Sequence, residues 1–366
     1  MDSAEGTIRL TQDARQAAHA LIREGIIRTP PTPLWGSDPA VDLDHAITDV
    51  LEPFLAVITD PLSQLAASRT GRQSWISLDG QRAAAALSIT LRRVEPGDPE
   101  YAYLPPAYAA LGMAGTLADR RTDLPALREL FRTASNIINE AGIEQVTVQI
   151  RSGDWMMGSF WRELGFRPDS VLAARTSTTE MASTSDVRVR TAHTADVEAL
   201  VEMSRQEQDF HALHTRTGSV AGQSVQATRD TVMSWLETGA SAPTLVAQDP
   251  RTAAVVGCAA LMVLTAPPGT ARASYLPATH GYLALVNVDE SGRGRGVGRA
   301  LTAAALRWFA EHDIEAVMLH YIDDNPLSRP FWSRMGFAPV AETLRGSPLP
   351  PDAPDRREQP RKDADR

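Results

Sequence analysis

The chain has 366 residues, 43% of them hydrophobic, enough for two ordinary cores of roughly 150 residues each. A formal charge of −9 argues against a nucleic-acid surface and suits cationic amine partners, and the single cysteine, Cys258, excludes a disulfide framework. No basic-then-apolar leader and no long apolar span is present, so a cytoplasmic protein without a membrane partner is expected, and Lys362 as the only lysine fits a high-GC bacterial genome.

In chain order, Trp75-Ile76-Ser77-Leu78 and Ala84 to Leu91 flank Asp79-Gly80, the pattern of a β-hairpin. A helix is expected from about Leu124, because Leu127, Leu130, Phe131, Ala134, Ile137 and Ile138 recur at helical spacing and Gly142 can end it. Ahead of it, Arg121-Thr122-Asp123-Leu124-Pro125 offers Asp123 as an N-cap and Pro125 for the first turn, with no glycine to open the backbone to an anion. Thr176 to Ser185, rich in Thr and Ser, reads as a linker. Beyond it come a strand at Val187 to Thr191, a helix beginning near Ala195, and an apolar run from Ala253 to Leu264. That run holds Cys258, with nothing nearby to make it a nucleophile. In the next strand His280, Tyr282, Ala284, Val286 and Val288 fall on one side by alternation.

That strand breaks into Asp289-Glu290-Ser291-Gly292-Arg293-Gly294-Arg295-Gly296-Val297-Gly298-Arg299. Glycines let backbone N–H groups approach an anion, a following helix N-terminus adds partial positive charge, and three arginines add full charge, so a diphosphate ligand is expected. The spacing is not G-x-G-x-x-G, and no Lys follows as a P-loop requires. A helical stripe at Leu301, Ala304, Ala305, Trp308 and Phe309 follows, then a short strand from Ala316 to Tyr321. From Gly346 the chain is rich in proline and mixed charge, and residues 346–366 are expected to be a disordered tail.

The two halves repeat. Ile143-Glu144, Phe160-Trp161, Gly165-Phe166 and Pro168 recur in the same order and spacing as Ile314-Glu315, Phe331-Trp332, Gly336-Phe337 and Pro339, which marks a duplicated unit. The expected division is 1–180, 181–345 and the tail. The Gly/Arg turn does not repeat: Arg121 to Leu127 stands opposite it, and Asp123 there would repel an anion. The first copy is therefore expected to have lost its ligand site and to buttress the second or shape its acceptor cleft.

Arg293-x-x-Gly296-x-Gly298 after a Val-rich strand, followed by Asn325-Pro326-Leu327-Ser328-Arg329-Pro330-Phe331-Trp332-Ser333-Arg334-Met335-Gly336-Phe337, resembles the two motifs of the GNAT superfamily of acyl-CoA N-acyltransferases over about 186–345. The resemblance implies an α/β class fold of the mixed α+β kind: two tandem GNAT-like domains, each a mostly antiparallel mixed sheet flanked by helices. It implies acetyl-CoA as co-substrate and no metal. The diphosphate would lie against Arg293, Gly294, Arg295, Gly296, Val297, Gly298 and Arg299. Val286, Asn287, Val288, Asn325 and Ser328 would serve the pantetheine arm and thioester, the strand at Val286 to Val288 being splayed from its neighbour.

The implied activity is transfer of an acetyl or other acyl group to a primary amine, of a small molecule in the first place, by direct attack on the thioester. A non-catalytic acyl-CoA-binding regulator and a protein or peptide amine acetyltransferase are the alternatives, and a homodimer is compatible with all three. Relatives place a His or Glu base where this chain has Tyr282 and Ala284, so His280 acting through a water is the candidate base. They place a Tyr acid where this chain has Trp332, leaving Tyr321 as the nearest phenol. Asp209, His211 and His214 fall where the family binds its acceptor. The short remainder after the last expected strand leaves no room for a seventh, and an exchange of strands between the copies is expected to supply it.

Overall fold

The computed structural model describes residues 61–350 apart from 80–81, 99–100, 102, 119–120, 178–180, 182–184, 216–223, 238–241 and 267–275, together with 20–21. Gly80 of the expected hairpin turn and residues 351–366 of the expected tail lie outside the described residues. The first unit comprises α1 (Pro61–Ser68), β1 (Thr70–Asp79), β2 (Arg82–Arg93), β3 (Ala107–Ala118), α2 (Leu124–Glu140), β4 (Val146–Arg151), α3 (Trp155–Glu163) and β5 (Arg167–Thr176). The second comprises β6 (Arg188–Thr191), α4 (Val197–His214), α5 (Val225–Glu237), β7 (Thr244–Gln248), β8 (Val255–Thr265), β9 (Thr279–Val288), α6 (Val297–Glu311), β10 (Ala316–Ile322), α7 (Ser328–Arg334) and β11 (Ala338–Gly346).

Local rules account for most of these boundaries. β1 and β2 pair antiparallel across the Asp79 turn, Trp75 facing Leu87. α2 buries the expected stripe at Leu127, Phe131, Ala134 and Ile138. It ends where Gly142 turns left-handed (φ 67°) and Ile143 N–H reaches back to Ile138 O at 3.0 Å, a Schellman ending. α6 ends the same way, with Asp313 at φ 57° and Ile314 N–H bonded to Phe309 O at 2.9 Å. The aromatic knot repeats as well: Trp161 packs edge-on to Phe160 and Phe166, as Trp332 does to Phe331 and Phe337.

The eleven strands of the described residues form one sheet, in the order β1-β2-β3-β4-β11-β5-β10-β9-β8-β7-β6. The middle of that order is the strand exchange expected from the missing room. β5 closes onto β10 of the second unit, and β11 closes onto β4 of the first. The two exchanged pairs share one register, since Tyr321 faces Val171 and its repeat partner Ile150 faces Glu342. Each core is accordingly completed by the other half: Leu344 of β11 is fully buried with Phe131, Trp161 and Phe166, while Val171 and Ala173 of β5 pack with Leu301, Phe309 and Val317. A methyl-rich face lost from either strand would open the other unit's core, which makes the two units one cooperative packing problem.

Two expectations are corrected here. The tail does not start loose, because Leu349 N–H bonds to Ser135 Oγ at 3.0 Å and Asn139 Nδ2 donates to Leu349 O at 2.8 Å on α2. Nor does strict alternation hold along β9. Leu285 faces Ala260 but Leu283 faces Leu261, so Ala284 is an extra residue in the ladder, a bulge. Val286 and Val288 therefore lie on the α6 side with Leu301 and Val297. Leu285 and Ala284 lie on the opposite side with Leu200 and Cys258, and Asn287 is bonded to Met203 O of α4.

Candidate active site

β9 loses one of its neighbours halfway along. Its parallel pairing with β10 covers only Gly281 and Tyr282, opposite Val317 and Met318, whereas its antiparallel pairing with β8 continues to Val288. From Leu283 onward the strand edge toward β10 is left open, and a buried open edge presents backbone donors and acceptors to whatever enters. The chain then makes a tight turn in which Asp289 accepts from Gly292 N–H at 3.0 Å. Gly294 and Gly296 follow, both at φ 76°, a conformation that costs an L side chain roughly 1–2 kcal/mol. The first helical bond of α6 runs from Ala300 N–H to Gly296 O at 2.9 Å, and Gly296 supplies no side-chain cap. The N–H groups of the first turn, from Val297 to Arg299, therefore face forward at the positive end of the helix.

The open edge and this turn border one cleft of about 500 Å³. Val286, Asn287, Val288, Arg293, Gly294, Gly296, Val297, Gly298, Arg299, Asn325 and Ser328 all line it, so eleven of the expected binding residues converge. Asn325 is buried, lines the cleft and spends its Oδ1 on the N–H groups of Leu327 (2.9 Å) and Ser328 (3.1 Å), so the donor its side chain has to offer is Nδ2. Asn287 is clamped by Met203 O at 2.7 Å and accepts from Val288 N–H at 2.9 Å, so its contribution to the cleft is backbone and wall.

Arg295 departs from expectation. Its guanidinium lies 2.8 Å from Asp249 and 3.3 Å from Asp186, outside the cleft lining, and ties the turn to the β7–β8 connection. The carboxylate of Asp249 is held below its ordinary pKa by the Arg251 backbone N–H and by Arg295. The cation that replaces it in the cleft is Arg334, an exposed residue one turn beyond Phe331, which sequence reasoning read only as part of a motif.

The three catalytic candidates from sequence do not line this cleft. His280 is 1% exposed with Nδ1 3.0 Å from Pro277 O. Tyr282 lies across the bulge from Val286, its hydroxyl 2.9 Å from His320 Nδ1, and burial pushes its phenol up to about 12. Tyr321 is packed in the α6-side core with Val317 and Leu319, where burial raises its pKa. The bulge at Ala284 is the physical reason for the first two, because it puts His280 and Tyr282 on the face opposite Val286 and Val288, while Leu283 stays in the α6-side core. Trp332 is 7% exposed and packed against Phe331 and Phe337, yet one edge borders the cleft.

The titratable groups that do border it come from α4: Glu207 and His211, with Phe210 beside them. His211 Nε2 is 2.8 Å from Glu207 Oε1. Asp209 and His214 are exposed and do not line the cleft, although the His214 ring packs on Phe210 at 4.6 Å. Cys258 is buried, and desolvation pushes its thiol up to about 12, which matches the inert strand residue expected. Among the described residues no group of three His, Cys, Asp or Glu is placed to hold a metal ion, and no helix is long and apolar enough to cross a membrane.

A mixed sheet with one splayed parallel pair, opening onto a glycine turn and an uncapped helix, resembles the GNAT-type acetyltransferase architecture expected from the sequence. Residues 208–337, most of the second unit, match the acetyltransferase (GNAT) family. No curated protein matches the sequence. Among solved structures, a GCN5-related N-acetyltransferase from Sphaerobacter thermophilus is 16% identical, with a TM-score of 0.51 over 76% of this chain and 82% of that one. A GCN5-related glucosamine N-acetyltransferase region of a fungal multi-domain β-N-acetylglucosaminidase is 13% identical, with a TM-score of 0.52 over 92% of this chain and 37% of that one. A tandem GNAT protein from the clavulanic acid biosynthesis pathway is 15% identical, with a TM-score of 0.48 over 93% and 97% of the two chains. At these identities the likeness is one of fold.

Proposed function

We propose that the second unit transfers the acetyl group of acetyl-CoA to the primary amine of a small molecule by direct attack on the thioester, and that the first unit is non-catalytic. The observation that carries this is the convergence of the open β9 edge, the left-handed Gly294 and Gly296, and the uncapped first turn of α6 on one cleft. Two linked phosphates suit the turn, where N–H groups, Arg293, Arg299 and Arg334 supply donors and charge. The pantetheine arm suits the strand edge and Asn325 Nδ2. When bound, the donor supplies an activated carbonyl; the chain supplies position, dryness and a backbone donor for the oxyanion.

The test is binding of CoA by calorimetry together with thiol release from acetyl-CoA across a panel of primary amines. The panel includes glucosamine, named for the fungal region, and a lysine-containing peptide. CoA binding with release driven by small amines supports the reading; release by the peptide alone moves the protein to the peptide acetyltransferases. Tight CoA binding with no release from any amine makes it an acyl-CoA-responsive binding protein.

A further inference from the structure

One carboxylate in the cleft lining is not held by the second unit alone. Tyr103, in the β2–β3 connection of the first unit, crosses to α4 and donates its hydroxyl to Glu207 Oε2 at 2.6 Å. On the other side His211 Nε2 holds Glu207 Oε1 at 2.8 Å, and the Tyr103 ring stands edge-on to His211 at 6.0 Å and 80°. Both carboxylate oxygens are thus fixed by donors, one from each unit, while the Glu207 side chain stays 18% exposed toward the cleft it lines. Burial and the adjacent carboxylate hold Tyr103 neutral, well above an ordinary phenol pKa, so it is a permanent donor here.

Charge gives this arrangement its meaning. The lining of the same cleft also holds Arg293, Arg299 and Arg334 for an anionic donor, so a fixed carboxylate in it would only weaken binding of that donor. A carboxylate retained there calls for a cation, and an acceptor amine arrives as one. We propose that Tyr103, Glu207 and His211 form an acceptor subsite shared between the two units, in which Glu207 anchors the substrate's ammonium group and the Glu207–His211 pair takes its proton. This rests on the acyl-transfer reading of the cleft. The step balances: the ammonium gives one proton to the pair, and the freed lone pair forms the C–N bond to the thioester carbonyl carbon. The C–S bond then breaks with its electrons on sulfur, and the second nitrogen proton passes to that sulfur, directly or through water. Glu207 is the catalytic residue, while Tyr103 and His211 position it.

The test uses the full chain, measuring amine kinetics with acetyl-CoA and CoA affinity by calorimetry for each variant. Glu207→Gln keeps the shape and the Tyr103 contact but removes the charge, and is expected to lower kcat/KM for the amine about 100-fold with the CoA Kd unchanged. Glu207→Asp restores the charge at shorter reach and should recover about a tenth of that activity or more. Tyr103→Phe removes one hydroxyl and is expected to raise the amine KM about tenfold without changing the CoA Kd or Tm, a split that loss of packing would not produce. Should no amine turn over, binding of the same amines to CoA-saturated protein is the readout, and binding that Glu207→Gln abolishes supports the subsite. Amine turnover or binding indifferent to Glu207→Gln, or no amine binding at all beside intact CoA binding, overturns the subsite alone. Absence of CoA binding overturns the reading of the cleft together with it.

Discussion

The two units carry grooves at partly corresponding places in the repeat, with different linings. In the first, a groove of about 530 Å³ is lined by Arg121, Leu124, Pro125, Ala126, Trp155, Phe160 and Glu163, among others. These are the repeat partners of Gly292, Arg295, Gly296, Val297, Pro326, Phe331 and Arg334. Asp123 replaces Gly294, Glu163 replaces Arg334, and Asp154 replaces Asn325. Asp154 still caps its helix, accepting from Met157 N–H at 3.1 Å, but a carboxylate has no N–H left to offer a ligand. Asp123 is buried and taken bidentately by Arg82 at 2.8 Å, rather than bonding the helix end as an ordinary N-cap would. The backbone differs as well, Asp123 lying at φ −94° where Gly294 lies at φ 76°, and the three substitutions put carboxylates where the second unit has a glycine, an amide and an arginine. Groove shape is therefore a property of packing; phosphate binding is a property of backbone freedom and charge laid over it.

The contrast can be broken most severely at Gly296. A β-branched side chain there must adopt φ 76°, and Gly296→Val is expected to weaken CoA binding at least 100-fold, about 2.7 kcal/mol by calorimetry, whereas Pro125→Val in the first unit should leave it unchanged. Next in size is Asp123→Asn, which leaves Arg82 without its bidentate partner. A loss of about 2 kcal/mol in denaturant unfolding is expected, discounted because Arg82 is 34% exposed, with the CoA stoichiometry still one per chain. A smaller effect separates the two arginines. Arg334→Ala should raise the CoA Kd about fivefold, or ~1 kcal/mol, in a salt-dependent way, while Arg295→Ala should lower Tm and leave Kd nearly unaltered. The smallest is a null result: with its thiol pushed up to about 12, Cys258 stays protonated throughout the neutral and mildly alkaline range. Iodoacetamide at pH 8 should then label it only after denaturation, as read by mass spectrometry.

Much of the second unit was legible because its signals are local. The turn from Val288 to Arg299, the stripe of α6 and the Gly336-Phe337 ending depend on residues a few positions apart, and the structure places eleven expected ligand residues around one cleft. What was misread depended on one inserted ladder residue. Alternation along β9 carried His280 and Tyr282 toward the site, and the bulge at Ala284, which no residue type announces, carried them away. Glu207 was invisible for a different reason. A glutamate inside a helical stretch has the composition of a solvated face, and only the approach of Tyr103, 104 residues earlier in the chain, distinguishes it. Arg295 looked like a phosphate ligand until Asp186 and Asp249, brought close by folding, claimed it.

The amino-acid order alone determined the duplication, the elements with strong local signals such as β1, β2, α2, β8, β9, α6 and β10, and which half kept a glycine turn, because hydrophobic period, cap chemistry and backbone freedom act over a few residues. Tertiary structure decided which strands closed which core, which side of β9 faced the cleft, and which carboxylate met which cation. Those outcomes depend on distances between segments far apart in the chain, which are set only when the whole sheet packs.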